Sequence, residues 1–156
     1  RIVTEESIIS ERKVKNLVKE RPQHKVVHEN DIEWQKIRWP GEWGKVAFHP
    51  RADDPTEPIF GITRFDPGGH FPDHAHDFAQ VWYILEGKCT VAGETIEAGS
   101  FVYHPDPHVE RELHTEDGVT ILFCQYPGPN TGGRPIYDKR FDLNQRKDKV
   151  DEPITF

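Results

Sequence analysis

The sequence predicts an all-β chain, an antiparallel barrel or sandwich flanked by an N-terminal and a C-terminal arm, and three observations carry that expectation. β-type runs recur at short spacing, over residues 59–65, 80–85, 88–92, 94–97, 101–104, 108–114 and 119–125. Turn chemistry separates them: Asp66-Pro67-Gly68-Gly69, Glu86-Gly87, Ala92-Gly93, Ala98-Gly99, Pro105-Asp106-Pro107 and Glu116-Asp117-Gly118. These connections are far shorter than the crossovers of roughly a dozen residues that parallel strands need, so the strands must run antiparallel. The 13 prolines and 12 glycines among 156 residues agree with many turns and few helices.

In chain order, residues 1–42 read as an N-terminal arm, 43–126 as one barrel domain and 127–156 as a C-terminal arm. The first thirty residues are charged, and Val14, Leu17 and Val18 suggest at most one short amphipathic helix over 10–19. Trp34, Trp39 and Trp43, interrupted by Pro40-Gly41, suit short strands or a cover over the barrel, and packing is the natural role of such residues. The polar tail carries scattered apolar residues such as Ile136, Tyr137 and Phe141, which suits an arm that crosses the barrel or reaches a partner.

A formal net charge of −7 argues against nucleic acid, whose phosphates are bound through clustered Lys and Arg. No apolar run approaches the ~18 residues of a membrane span, and no basic-then-apolar leader opens the chain, so a cytoplasmic protein is expected. Cys89 and Cys124 both sit in apolar runs and read as buried reduced thiols.

Among nine histidines, His24, His28 and His49 have no partner pattern. His74 and His76 do. Residues two apart on a strand share a face about 6–7 Å apart, so this pair can aim two imidazoles at one cation. Gln80 lies too far along a straight strand to join them, given metal bonds of roughly 2.0–2.3 Å. The chain must therefore turn near Asp77, and residues 81–85 read as the returning strand of a hairpin.

Gly68, His74, His76, Gln80 and Gly87 together resemble the first motif of the cupin superfamily, G-x5-H-x-H-x3-E-x6-G, with Gln80 where the family has Glu. The stretch 62–69 is similar to the entry used by cupins of the ChrR and acetylacetone dioxygenase type. The resemblance implies a cupin double-stranded β-helix, a jelly-roll barrel, with one divalent metal ion, and it covers about 43–126. The second motif, G-x5-P-x-G-x2-H, aligns less cleanly with 99–110. Counting without gaps puts Glu110 at the last histidine position; a loop two residues shorter puts His108 there. Glu110 would complete a two-His, one-carboxylate set suited to Fe(II), and His108 a three-His set. Gln80 either ligates or stands behind the ligands; as a neutral ligand in place of Glu it would leave more positive charge on the ion.

By strand alternation, Glu112 and His114 could also face the interior. Arg64, Trp82, Tyr103 and His114 are the expected substrate-pocket residues, and His104 is a weaker candidate. The resemblance implies an Fe(II) oxygenase or C–C bond-cleaving enzyme acting on a small enolisable or carboxylated substrate, in a homodimer. Its alternatives are a metal-bound sensor, or an isomerase, lyase or decarboxylase using Zn, Ni or Mn.

Overall fold

The computed structural model describes residues 24–50, 57–128 and 130–131; the expected helix over 10–19 lies outside the described residues. A short 3-10 turn, Glu29–Asp31, precedes eleven strands. These are β1 (Gln35–Lys36), β2 (Glu42–Phe48), β3 (Ile59–Phe65), β4 (His70–Phe71), β5 (His74–His76), β6 (Ala79–Val91), β7 (Glu94–Glu97), β8 (Phe101–His104), β9 (His108–Glu110), β10 (Leu113–His114) and β11 (Val119–Tyr126).

All pairings are antiparallel. The main sheet runs β1-β2-β3-β11-β6-β10-β4, with β7 and β8 also paired to β6, and β5 and β9 form a two-stranded sheet of their own. The organising strand is β6. Its first half lies between β11 and β8, and its second half between β7 and β10. It passes through Gly87 without interruption, so the turn expected at Glu86-Gly87 is instead a change of partners within one long strand. Gly87 has φ +76°, and a Cβ there would lie 2.2 Å from the Gly118 carbonyl oxygen. Only glycine satisfies both conditions.

Period-2 alternation explains the core. Ile59 and Phe65 on β3, Trp82 and Ile84 on β6, and Val119 and Ile121 on β11 all point inward. Asp66 to Gly69 closes a turn through Gly69 N–H to the Asp66 carbonyl at 2.8 Å, with Gly68 at φ +80°, as a type II turn with Pro at its second position requires. That turn delivers β4 and then β5 to the barrel mouth.

Two strand expectations are corrected. Residues 74–85 do not form a hairpin: the chain turns a corner at Asp77 and Phe78, β5 pairs with β9, and β6 leaves in the other sheet. Residues 108–114 are not one strand. The ladder breaks at Arg111 and Glu112, where Glu112 N–H donates to Asp73 Oδ1 at 2.7 Å. The break inverts the alternation, so Leu113 is buried while Glu112 and His114 face solvent.

Candidate metal centre

The two-stranded β5–β9 ladder builds the site. His74 lies opposite Glu110 and His76 opposite His108, while Ala75 and Val109 between them point the other way. Four polar side chains therefore leave one face of a two-stranded ribbon together. Phe71 and Phe78 back them: the Phe71 ring is 5.0 Å from His74, and the fully buried Phe78 ring is 4.6 Å from His76.

Glu110 Oε2 lies 2.6 Å from His76 Nε2 and 3.2 Å from His74 Nε2. His74, His76 and Glu110 form a group whose ligand atoms all lie within 4.8 Å of one another and could hold a metal ion. His74 donates its other ring proton, on Nδ1, to the Pro72 carbonyl at 2.8 Å. That bond turns Nε2 toward the group: protonated, it donates to Glu110, and deprotonated, its lone pair is free for a cation, the arrangement common for metal-bound histidine.

Electrostatics at the group are tightly opposed. Burial pushes the Glu110 carboxyl up, and hydrogen bonds from His74 and His76 more than reverse it, holding it well below the carboxylate range. The two rings answer the same carboxylate in opposite directions. At His76 desolvation lowers the pKa despite the shorter hydrogen bond. At His74 desolvation also acts downward, but Glu110 outweighs it and the pKa rises. Between these nitrogens and the carboxylate oxygen, a proton or a cation is what makes the contacts favourable.

Gln80 and His108 stand outside the three-atom group. His108 is buried and donates Nδ1–H to the Pro105 carbonyl at 2.7 Å, so its Nε2 accepts from the Gln80 amide at 3.3 Å. The Gln80 carbonyl oxygen, its one atom able to ligate, accepts instead from Gln125 Nε2 at 3.0 Å. Gln80 thus steadies His108 rather than reaching toward Glu110. Counted without gaps, Glu110 stands at the last histidine of the second motif, and as a ligand it would offset the added positive charge expected from Gln80.

Of the expected pocket residues, the structure brings only Trp82 to the site. It is 4% exposed, and its ring lies 4.5 Å from His104 and 6.4 Å from Phe71. Arg64 is on the opposite face of β3 from inward-pointing Phe65; it stacks over Trp34 and has Nε 3.8 Å from Asp66 Oδ1. Tyr103 alternates outward on β8 and is 65% exposed, and His114 is turned out by the break after Glu110.

His104 and Gln125 belong here more than sequence reasoning indicated. His104 shares the inner face with Gln80, its register partner, and its ring lies 4.9 Å from His108. Burial pushes its pKa down to about 4, which keeps the imidazole neutral. Gln125 had a readable signal, since it continues the inward series of Val119, Ile121 and Phe123 on β11. The start of the C-terminal segment also closes on this corner: Asp106 Oδ2 accepts from the backbone N–H of Asn130 and Thr131, and Thr131 Oγ1 lies 2.5 Å from the Asp77 carbonyl oxygen.

A jelly roll with two histidines and a carboxylate at its mouth defines a cupin with a His/His/Glu group able to hold a metal ion. The chain belongs to the ChrR cupin-like domain family, which matches residues 22–128. No curated protein matches the chain. Among solved structures, the chain is similar to an RmlC-like cupin from Shewanella frigidimarina, with 22% identity, TM-score 0.55, and 69% of this chain and 94% of that one covered. It is also similar to the polyketide cyclase RemF from Streptomyces resistomycificus, with 18% identity, TM-score 0.54, and coverage of 72% and 82%. An acetylacetone dioxygenase from Acinetobacter johnsonii matches with 14% identity, TM-score 0.52, and coverage of 69% and 75%. At these identities the likeness is one of fold.

Proposed function

We propose that the protein is a mononuclear metal enzyme in which His74, His76 and Glu110 hold Fe(II), acting as an oxygenase or C–C bond-cleaving enzyme on a small enolisable or carboxylated molecule. The observation that carries this reading is the convergence of two Nε2 atoms on one Glu110 oxygen, with the far nitrogen of His74 already hydrogen-bonded. The donor set fits a divalent ion of the Fe(II), Mn, Ni or Zn type, and two imidazoles plus one carboxylate favour Fe(II) among them. Such an ion supplies Lewis acidity toward substrate oxygens and, when redox-active, access to O2 chemistry.

The chain's own residues do the rest. One carboxylate against a divalent charge leaves the centre net positive, which draws an enolate or carboxylate. His108 is fixed between Pro105 and Gln80, and His104 presents a neutral ring that neither repels nor neutralises that anion. Trp82, Phe71 and Phe78 exclude water from the inner side, which strengthens each electrostatic contact. The acetylacetone dioxygenase among the similar folds supports trying diketones first. Free Cys89 and Cys124 fit a reducing compartment such as the cytoplasm. The same reading includes a homodimer, formed through the outer face of β6 and β8, where Phe101 is 77% and Leu85 43% exposed.

Two measurements test the reading. Protein purified without chelator should carry about one metal ion per chain, lost in His76→Ala. A panel of small diketones and hydroxy-ketones should then be turned over with O2 consumption. Metal-free parent protein after metal-replete growth overturns the site; equal turnover without O2 moves the chemistry to redox-neutral catalysis at Zn, Ni or Mn.

A further inference from the structure

Buried side-chain atoms that can hydrogen-bond almost always do so, and an unpaired one calls for an explanation. Among the described residues three such atoms have no partner: Arg64 Nε, His104 Nδ1 and Gln125 Oε1. Arg64 Nε is explained by its place on the outer face beside Asp66. The other two lie in one row. Gln80 is the register partner of His104 on β8 and of Gln125 on β11, so His104, Gln80 and Gln125 stand side by side on the inner face of three adjacent strands.

The row lies beside the metal group. Ring contacts run in a closed circuit from His74 to His76 at 4.8 Å, His76 to His108 at 5.3 Å, His108 to His104 at 4.9 Å, and His104 to Trp82 at 4.5 Å, returning through Phe71. Within the row, both polar atoms of Gln80 have a partner: its nitrogen faces His108 and its oxygen accepts from the Gln125 amide. Its neighbours on both sides each keep one unused atom. An unused carbonyl oxygen accepts and cannot donate, so what Gln125 lacks is a hydroxyl or an N–H. His104 Nδ1 takes either role, according to its tautomer.

We propose that His104 and Gln125 are substrate-binding residues that select a hydroxylated molecule: a small carboxylate or enol held at the metal group by one end, with a hydroxyl on the other end donating to Gln125 Oε1 and a hydrogen bond to His104 Nδ1. This rests on the metal-site reading above and narrows its substrate class to hydroxy acids and hydroxy-ketones over plain diketones. A site built to hydrogen-bond a hydroxyl discriminates strongly against the analogue lacking it, because the buried polar atoms are then left unpaired. Pairing Gln125 Oε1 with water alone would remove that discrimination.

The test uses zinc-loaded full-length protein, titrated calorimetrically with propionate and 3-hydroxypropionate, with zinc content measured in every variant. The parent should bind 3-hydroxypropionate at least ten-fold more tightly than propionate. His104→Phe and Gln125→Leu should each bring that ratio toward one with zinc content unchanged. His104→Asn, which keeps a polar atom at the position of Nδ1, should recover part of it. If His104→Phe does not fold, His104→Asn and Gln125→Leu decide. Equal binding of the two probes by zinc-loaded parent, or the parental ratio in the variants, overturns the proposal and leaves the metal site standing. Loss of zinc in either variant also overturns it, by giving the residue a role in the metal site itself. A parent chain that binds no zinc overturns both readings.

Discussion

Glu110 is the residue on which the site's chemistry turns, because it is the one charged partner that two half-buried imidazoles share. Replacing it by Gln keeps the shape and removes the charge. Metal affinity should then fall by more than the roughly 10–100-fold that losing an outer hydrogen-bond partner costs. Competition against a chromophoric chelator measures this, and an unchanged affinity would remove Glu110 from the ligand set. Counted without gaps, the chain departs from the cupin motif twice, with Gln80 at the family's Glu and Glu110 at its His, and on that count the two departures exchange one carboxylate between positions. The pair should therefore couple: Glu110→His alone should bind metal worse than the Gln80→Glu, Glu110→His double variant, which restores the family set. Equal affinity of the two would mean that position 80 has no influence on the ion.

Among the elements, β6 and the β5–β9 ladder show what sequence patterning conveys and what it does not. Runs 59–65, 94–97 and 101–104 coincide with β3, β7 and β8, because each alternates and ends at a turn. Sequence patterning divides the long β6 into two strands, because a glycine inside a strand and a glycine in a turn look alike without the neighbouring backbone. Gly87 is where the neighbour decides: Gly118 leaves no room for a Cβ. Gly87→Ala should destabilise by more than about 3 kcal/mol, since steric conflict adds to the cost of a positive φ. Gly68→Ala has nothing within 4 Å and should cost only the roughly 1–2 kcal/mol of the backbone conformation. Urea midpoints compare the two directly, and equal losses would refute the close-approach account. At the site, spacing within one strand was enough to pair His74 with His76. Grouping Glu110 with His74 and His76 needed the register of β9 against β5, which sets Glu110 opposite His74, and the outward turn of His114 needed the break at Glu112. Both depend on contacts between strands that spacing along one strand does not encode.

For the whole molecule, the buried histidines tie stability to pH. Burial pushes His104 down to about 4 from an ordinary 6.5. Between those values the unfolded chain binds a proton that the folded chain refuses, so this contribution is fully present above pH 6.5 and is lost as pH falls toward 4. It can reach at most about 3 kcal/mol, on the order of 1.4 per pH unit for one proton. His76, lowered by burial, acts in the same direction. Glu110, held low by its two histidines, adds stability above its ordinary 4.5 that is lost as pH falls through its folded value. His74 opposes them: its raised pKa contributes most below 6.5, and that contribution is lost as pH rises through the folded value. Between pH 7 and pH 5 Glu110 is ionised in both states, so His104 and His76 act against His74 alone, and metal-free protein should weaken across that window, read as a falling urea midpoint at constant slope. His104→Phe removes one of the two lowered histidines and should flatten the fall by up to about one proton's worth. A bound ion competes with protons for the same nitrogens, so added metal should raise the melting temperature more at pH 7 than at pH 5. A metal-free protein equally stable at both pH values, with the same slope in His104→Phe, would show that these rings take up protons in the folded state as freely as in water.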